Sequence, residues 1–207
     1  MRSLRLLPRD LALIALFAAL IVVLGLPGSI PVPGVPVPII LQNLGIFLAA
    51  SVLGPRRGVL AVLAFLALAA VGLPVLSGGY GGIAVFATSS LGYFIGWVLA
   101  AVVIGWLASL GGTRGRFWWL LGANILGGVL LIDFVGATIS VFFTGIPLGT
   151  TYVGSLVFLP GDLAKAVIAA LLAYAIQRAY PVPPAGVRRG ESKPRPKERQ
   201  RVSADNG

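Results

Sequence analysis

Six continuous apolar stretches, at roughly 10–26, 39–53, 58–76, 83–109, 117–143 and 160–180, account for most of this 207-residue chain. A bilayer core takes about 20 mostly apolar residues as helix. A soluble core in so short a chain cannot bury this much apolar surface. The chain is 57% hydrophobic and only 11% charged, against about a quarter charged in an ordinary soluble domain. The stretches do not alternate polar and apolar residues, which argues against a β-barrel. The pattern predicts an all-α integral membrane protein. The second and third stretches are the shortest, and a tight turn at Gly54-Pro55-Arg56-Arg57-Gly58 is expected to join them.

The basic residues test that count through the positive-inside rule. Arg2, Arg5 and Arg9 precede the first stretch, and Arg56 and Arg57 lie between the second and third. Arg114 and Arg116 lie between the fourth and fifth, and Arg178 and the tail follow the sixth. Six crossings put all four groups on one side. The connections at about 27–38, 77–82 and 144–159 carry no Lys or Arg. The expectation is six transmembrane helices with both termini cytoplasmic. The basic start resembles a signal peptide, but no small-residue cleavage site follows, and the first helix is read as retained. Residues 1–180 form the membrane domain. Residues 181–207 are basic and poor in apolar groups, and are expected to be a disordered cytoplasmic tail. This tail is read as a topology anchor with affinity for anionic membrane lipid, and not as a nucleic-acid partner.

Function classes fall away by absence. The 207 residues contain no His and no Cys, which removes Ser-His-Asp triads, Cys nucleophiles, disulfides and His or thiolate metal sites. No phosphate-binding Gly-x-x-x-x-Gly-Lys loop is present, so any ATP used in transport is hydrolysed by another chain. No paired-carboxylate or nucleophile-plus-base pattern supports an enzyme.

The polar residues within the apolar stretches each need a reason. Asp162 and Lys165 stand three apart, on one helical face, at the start of the sixth stretch. They form either a self-neutralising pair or a ligand clamp. Gln42 and Asn43 begin the second stretch, as pocket amides or as interhelical hydrogen bonds. Thr88, Ser89, Ser90 and Tyr93 form a hydroxyl cluster assigned to the fourth helix. Asn124 and Asp133 lie in the fifth, Asp133 being a structural partner, a ligand group or a proton site. The three uncharged connections are rich in Gly and Pro yet apolar, among them Gly78-Gly79-Tyr80-Gly81-Gly82. They are read as a lid over an outward-facing pocket.

The order of motifs resembles BioY, the substrate-binding S component of biotin transporters of the energy-coupling-factor (ECF) type. The resemblance covers about residues 10–180. It rests on Ala15-Leu16-Phe17-Ala18-Ala19, Val35-Pro36-Val37-Pro38-Ile39-Ile40-Leu41-Gln42 and Leu53-Gly54-Pro55-Arg56-Arg57-Gly58. It continues through Val71-Gly72-Leu73-Pro74-Val75, Gly78-Gly79-Tyr80-Gly81-Gly82, Leu91-Gly92-Tyr93-Phe94-Ile95-Gly96 and Pro160-Gly161-Asp162-Leu163-Ala164-Lys165.

The resemblance implies a six-helix, multi-pass subunit of the cell inner (plasma) membrane. It would bind biotin near the outer face, with no enzymatic activity and no cofactor beyond the transported ligand. Asp162 and Lys165 would contact biotin. Gln42, Tyr93, Ser90 and Tyr80 would complete the pocket. Ala15 and Ala19 would dock an ECF transmembrane coupling subunit that works with two ATPase subunits. This chain departs from the family at Thr88-Ser89-Ser90, where the family shows Gly-Pro-Thr. The alternatives are an S component for another small carboxylate vitamin, or a proton-coupled secondary transporter using Asp133.

Overall fold

The computed structural model describes residues 6–30, 39–111 and 115–180. Arg2, Arg5, the proline-rich residues 31–38, Arg114 and the basic tail from residue 181 lie outside the described residues.

Helix α1 spans Pro8–Val23. Pro8 suits a first helical position, where no backbone N–H is needed, and the Asp10 carboxylate accepts the Leu7 N–H at 3.0 Å. A two-residue antiparallel ladder follows, with Ser29–Ile30 (β1) paired to Ile39–Ile40 (β2). It is a small departure from an all-helical expectation.

Helix α2 runs Gln42–Ala70 but is not one rod. Gly54 leaves the helical region at φ 76°, ψ −177°, and Pro55 follows without a backbone N–H. Eight residues along a straight helix lie about 12 Å apart. Here a Cβ added at Gly58 would stand 2.9 Å from the Ala50 Cα. The chain has reversed, and α2 is a hairpin of two short arms with its bend at Gly54, where the sequence predicts a turn.

The fourth apolar stretch is shorter as helix than its hydropathy suggests. Residues Ile83–Ala87 form a 3₁₀ turn, and helix α3 begins only at Leu91, running to Leu110. The reason is local hydrogen bonding. The Thr88 hydroxyl donates to the Val85 carbonyl at 2.8 Å and accepts from the Ser90 N–H at 3.3 Å. Hydroxyls that bond nearby backbone compete with helix formation. Thr88 and Ser89 therefore lie in a turn, and Ser90 is the residue that leads into α3.

The fifth stretch is continuous. Helix α4 (Arg116–Ala123) passes through a π-helical segment, Asn124–Leu130, into α5 (Leu131–Thr144). Asn124 is fully buried, and its side-chain oxygen accepts the Ser51 hydroxyl at 3.0 Å, tying this segment to α2. The connection expected at 144–159 contains a further helix, α6 (Leu148–Ser155), held to α5 by stacking of Tyr152 on Phe134. After a short 3₁₀ turn, α7 spans Leu159–Ala179, close to the predicted sixth stretch.

Among the described residues, four helical segments are long and apolar enough to cross a membrane: Gln42–Ala70, Leu91–Leu110, Arg116–Thr144 and Leu148–Ala179. Large apolar side chains such as Leu16, Trp106, Phe142 and Leu171 remain exposed, as expected for a membrane protein's outer surface. The core lies between the two arms of α2 and helices α3, α5 and α7, with Phe47, Phe65, Ile104 and Ile132 sealed inside it.

One end of the bundle is basic. Arg57 in the bend pairs with Asp10 at 2.8 Å, Arg9 sits over the Tyr180 ring, and Arg116 donates to Gln177 at 2.6 Å. The helix starts at Gln42, Leu91 and Leu159 converge at the opposite end, and the site is there.

Candidate ligand-binding site

Three helix starts and two turns enclose a cavity of about 320 Å³. Ligand sites run from about 300 to 1,000 Å³, so this one suits a small metabolite. All six pocket residues expected from the sequence line it: Gln42, Tyr80, Ser90, Tyr93, Asp162 and Lys165.

At its floor, Lys165 Nζ donates to Asp162 Oδ1 at 2.7 Å. One turn of α7 accounts for that geometry. Both side chains are more than nine-tenths buried. The same oxygen accepts from Asn43 Nδ2 at 3.3 Å, and Asn43 Oδ1 accepts the Trp97 indole N–H at 2.9 Å. A relay from α3 through α2 to α7 thus orients the carboxylate. A buried indole N–H needs a partner, and Asn43 supplies it. Asn43 is one of the amides the sequence offers; Trp97, 2% exposed, is a member of the site that the sequence does not mark. Nothing in the apolar pattern of α3 distinguishes that tryptophan from core.

Gln42 borders the cavity, but its amide is committed to the protein. Nε2 donates to the Val75 carbonyl at 2.9 Å, with a longer approach to the Ile21 carbonyl at 3.4 Å. Oε1 accepts the Ser77 N–H at 2.9 Å. Gln42 therefore fastens the glycine-rich 77–82 turn over the cavity. Tyr80 hangs from that turn and is 65% exposed, at the mouth. Of the predicted lid loops, the 77–82 turn contributes through Tyr80, with Ser77 at its start; residues 31–38 of the first lie outside the described residues, and Ile39 and Ile40, just after it, line the cavity. The 144–159 connection reaches this cavity only through Phe158, near its end; Tyr152, Ser155 and Leu156 border a separate one.

The walls are aromatic. Phe94 lies 5.1 Å from Trp97 and 5.2 Å from Phe86, and Tyr93 meets Phe158 edge-on at 6.4 Å. Tyr93 is positioned by a close approach of α3 to α5. A Cβ at Gly92 would stand 2.8 Å from the Gly136 carbonyl oxygen, and one at Gly136 would stand 2.5 Å from the Tyr93 ring. Asp133, one turn before Gly136, also lines the cavity. Among the described residues no cluster of three His, Cys, Asp or Glu gathers to hold a metal.

A largely apolar chamber with a buried, oriented ion pair has the form of a ligand site, and comparison with known proteins places the chain in a family. The BioY family model matches residues 1–182. The chain belongs to the BioY family. It is 44% identical over 182 residues to a biotin transporter BioY of Rhizobium etli, covering 86% of this chain and 97% of that protein. It is 46% identical over 160 residues to a biotin transporter BioY of Lactococcus lactis, covering 76% of this chain and 85% of that one. A crystal structure of the S-component for biotin from an ECF-type ABC transporter superposes with a TM-score of 0.78 at 41% identity. That match covers 82% of this chain and 91% of the other. These relatives are transport proteins, and the chain, with its long apolar helices, belongs to that transporter family rather than to an enzyme family.

The proposed docking residues on α1 lie away from the cavity. Ala15 and Ala19 are exposed on the outer face of the helix, while Ile14, Phe17, Ala18 and Ile21 face the core.

Proposed function

We propose that this chain is the substrate-binding subunit of a biotin importer. The observation that carries the reading is the buried Asp162–Lys165 pair, held by Asn43 and Trp97 inside an aromatic chamber of a BioY-family protein. Biotin is an apolar bicycle with a cyclic urea at one end and a carboxylate at the other. The ion pair is already neutral, so it attracts an anion weakly and suits the uncharged urea. Lys165 keeps N–H donors for the urea carbonyl. Asp162 keeps Oδ2 for a urea N–H. Phe94, Trp97 and Tyr93 pack on the bicycle, and the serine-rich turn at 88–90 and Tyr80 line the rest of the chamber.

The proposed topology has six crossings of the cell inner membrane, with both arms of α2 crossing and α1 adding one. The gathering of Arg9, Arg57 and Arg116 at the end opposite the cavity supports cytoplasmic termini and an outward-facing site. Ala15 and Ala19, small and exposed on α1, would allow close approach of an ECF coupling subunit linked to two ATPases. Residues 181–207 would extend into the cytoplasm as a basic tail against anionic lipid.

The test is labelled-biotin binding to purified protein in detergent, beside Asp162→Asn and Lys165→Ala. Tight, saturable binding that both substitutions weaken by at least about 10-fold is expected, since each removes a charge-assisted hydrogen bond. A folded wild-type protein that binds no biotin refutes the reading.

A further inference from the structure

The polar groups of the cavity do not all find partners. The cavity holds two carboxylates, Asp133 and Asp162, and one ammonium, Lys165, which is already bonded to Asp162. Among the described residues the Asp133 carboxylate makes no hydrogen bond and no ion pair. An acidic side chain within an apolar helix is costly without partners.

Its other side offers no donor. Asp133 also borders a lateral cavity of about 560 Å³, lined by Tyr152, Ser155 and leucines. The Thr138 hydroxyl donates to the Phe134 carbonyl at 2.6 Å, so the 2.7 Å contact between Thr138 and Tyr152 takes the tyrosine's proton. Ser155 donates to the Tyr152 carbonyl at 2.8 Å. Both hydroxyl protons are spent, so this side leaves Asp133 without a donor, and its carboxylate is open to a donor in the main chamber.

We propose that Asp133 is a specificity-determining residue that accepts one ring N–H of the ligand's cyclic urea, across from Asp162. This rests on the biotin reading above. A cyclic urea presents N–H, C=O and N–H along one edge. Asp133, Lys165 and Asp162 present acceptor, donor and acceptor. Two carboxyl groups at this end, unsuited to an anionic group, then favour the urea head and turn the ligand's carboxylate away. A fatty carboxylate of similar length that lacks the urea leaves these three groups without partners and binds more weakly.

The experiment compares biotin and its two ring-N-methylated isomers on wild type, Asp133→Ala and Asp133→Asn in detergent, by competition against labelled biotin. Asp133→Ala is expected to weaken biotin about 10- to 100-fold, the loss of one charge-assisted hydrogen bond. One methyl isomer should show a similar loss on wild type and no further loss on Asp133→Ala, because the same bond is removed only once. Asp133→Asn keeps one acceptor oxygen and should fall between. Thermal unfolding of each ligand-free variant separates lost binding from lost fold, and if Asp133→Ala does not fold, Asp133→Asn carries the same comparison. Unchanged biotin affinity in the variants, or losses that multiply for both isomers, overturns the inference alone. Absence of biotin binding to folded wild type overturns the biotin reading with it.

Discussion

Replacing Lys165 alone should harm the fold more than replacing Lys165 and Asp162 together. At 2.7 Å the gross attraction of the pair is about 6 kcal/mol for an effective dielectric constant near 20. Burying each ion costs several kcal/mol, so the pair as a whole contributes little net stability. Lys165→Met removes the attraction and leaves the Asp162 desolvation cost in place. Breaking such a pair costs about 3–5 kcal/mol. Asn43 still donates to Asp162 at 3.3 Å, which places the expected loss near the lower end, about 3 kcal/mol. For a chain of this size that is a fall in Tm of about 6–12 °C. The double variant Asp162→Asn/Lys165→Met carries no charge at this site, and the amide oxygen introduced there can still accept from Asn43, so its loss should stay within about 1 kcal/mol. Thermal unfolding in detergent, followed by tryptophan fluorescence, reads both. Trp97 reports on the site itself through its bond to Asn43. Biotin affinity should fall in both variants, which separates binding from folding. A Lys165→Met protein as stable as the double variant would show that Asp162 gains nothing from its lysine, and the buried-pair argument would fail.

Three further outcomes follow from the geometry. Gly92→Ala should destabilise by about 1–3 kcal/mol, because its Cβ would meet the Gly136 backbone, whereas Gly136→Ala should displace the Tyr93 ring and show mainly in weaker ligand binding; unfolding and binding curves distinguish them. Gln42→Leu leaves the buried Ser77 N–H without its acceptor, and should cost about 1–3 kcal/mol while increasing proteolysis or hydrogen exchange within 75–82. Ala15→Trp with Ala19→Trp should abolish biotin uptake in cells that supply the coupling subunit while leaving binding to the purified protein unchanged; retained uptake would remove these residues from the docking surface.

The family and the main pocket residues were legible in the sequence because the motifs are local. The Asp162–Lys165 spacing survives any helix packing, and Gly54-Pro55 breaks a helix wherever it occurs. Helix limits were less legible where side chains override hydropathy. Residues 83–90 are apolar enough for helix, yet the Thr88 hydroxyl bonds the backbone on both sides and delays α3 to Leu91. The role of Gln42 was likewise open: the same amide serves a ligand or a loop, and only its distance to Val75 and Ser77 shows that it holds the loop.

By itself, then, the sequence determined that this chain lives in a membrane and that one end is basic, since transfer of apolar stretches and of charge depends on composition and order along the chain. It also determined which carboxylate and ammonium share a helical face. The tertiary structure alone decided which distant groups meet. Asn43 and Asp162 are 119 residues apart, and Trp97 reaches Asn43 from a third helix. Asp133 joins the same chamber beside the close approach of α3 and α5 at Gly92 and Gly136. Close packing between helices is set by side-chain shape in three dimensions, which no periodicity along one strand of sequence records.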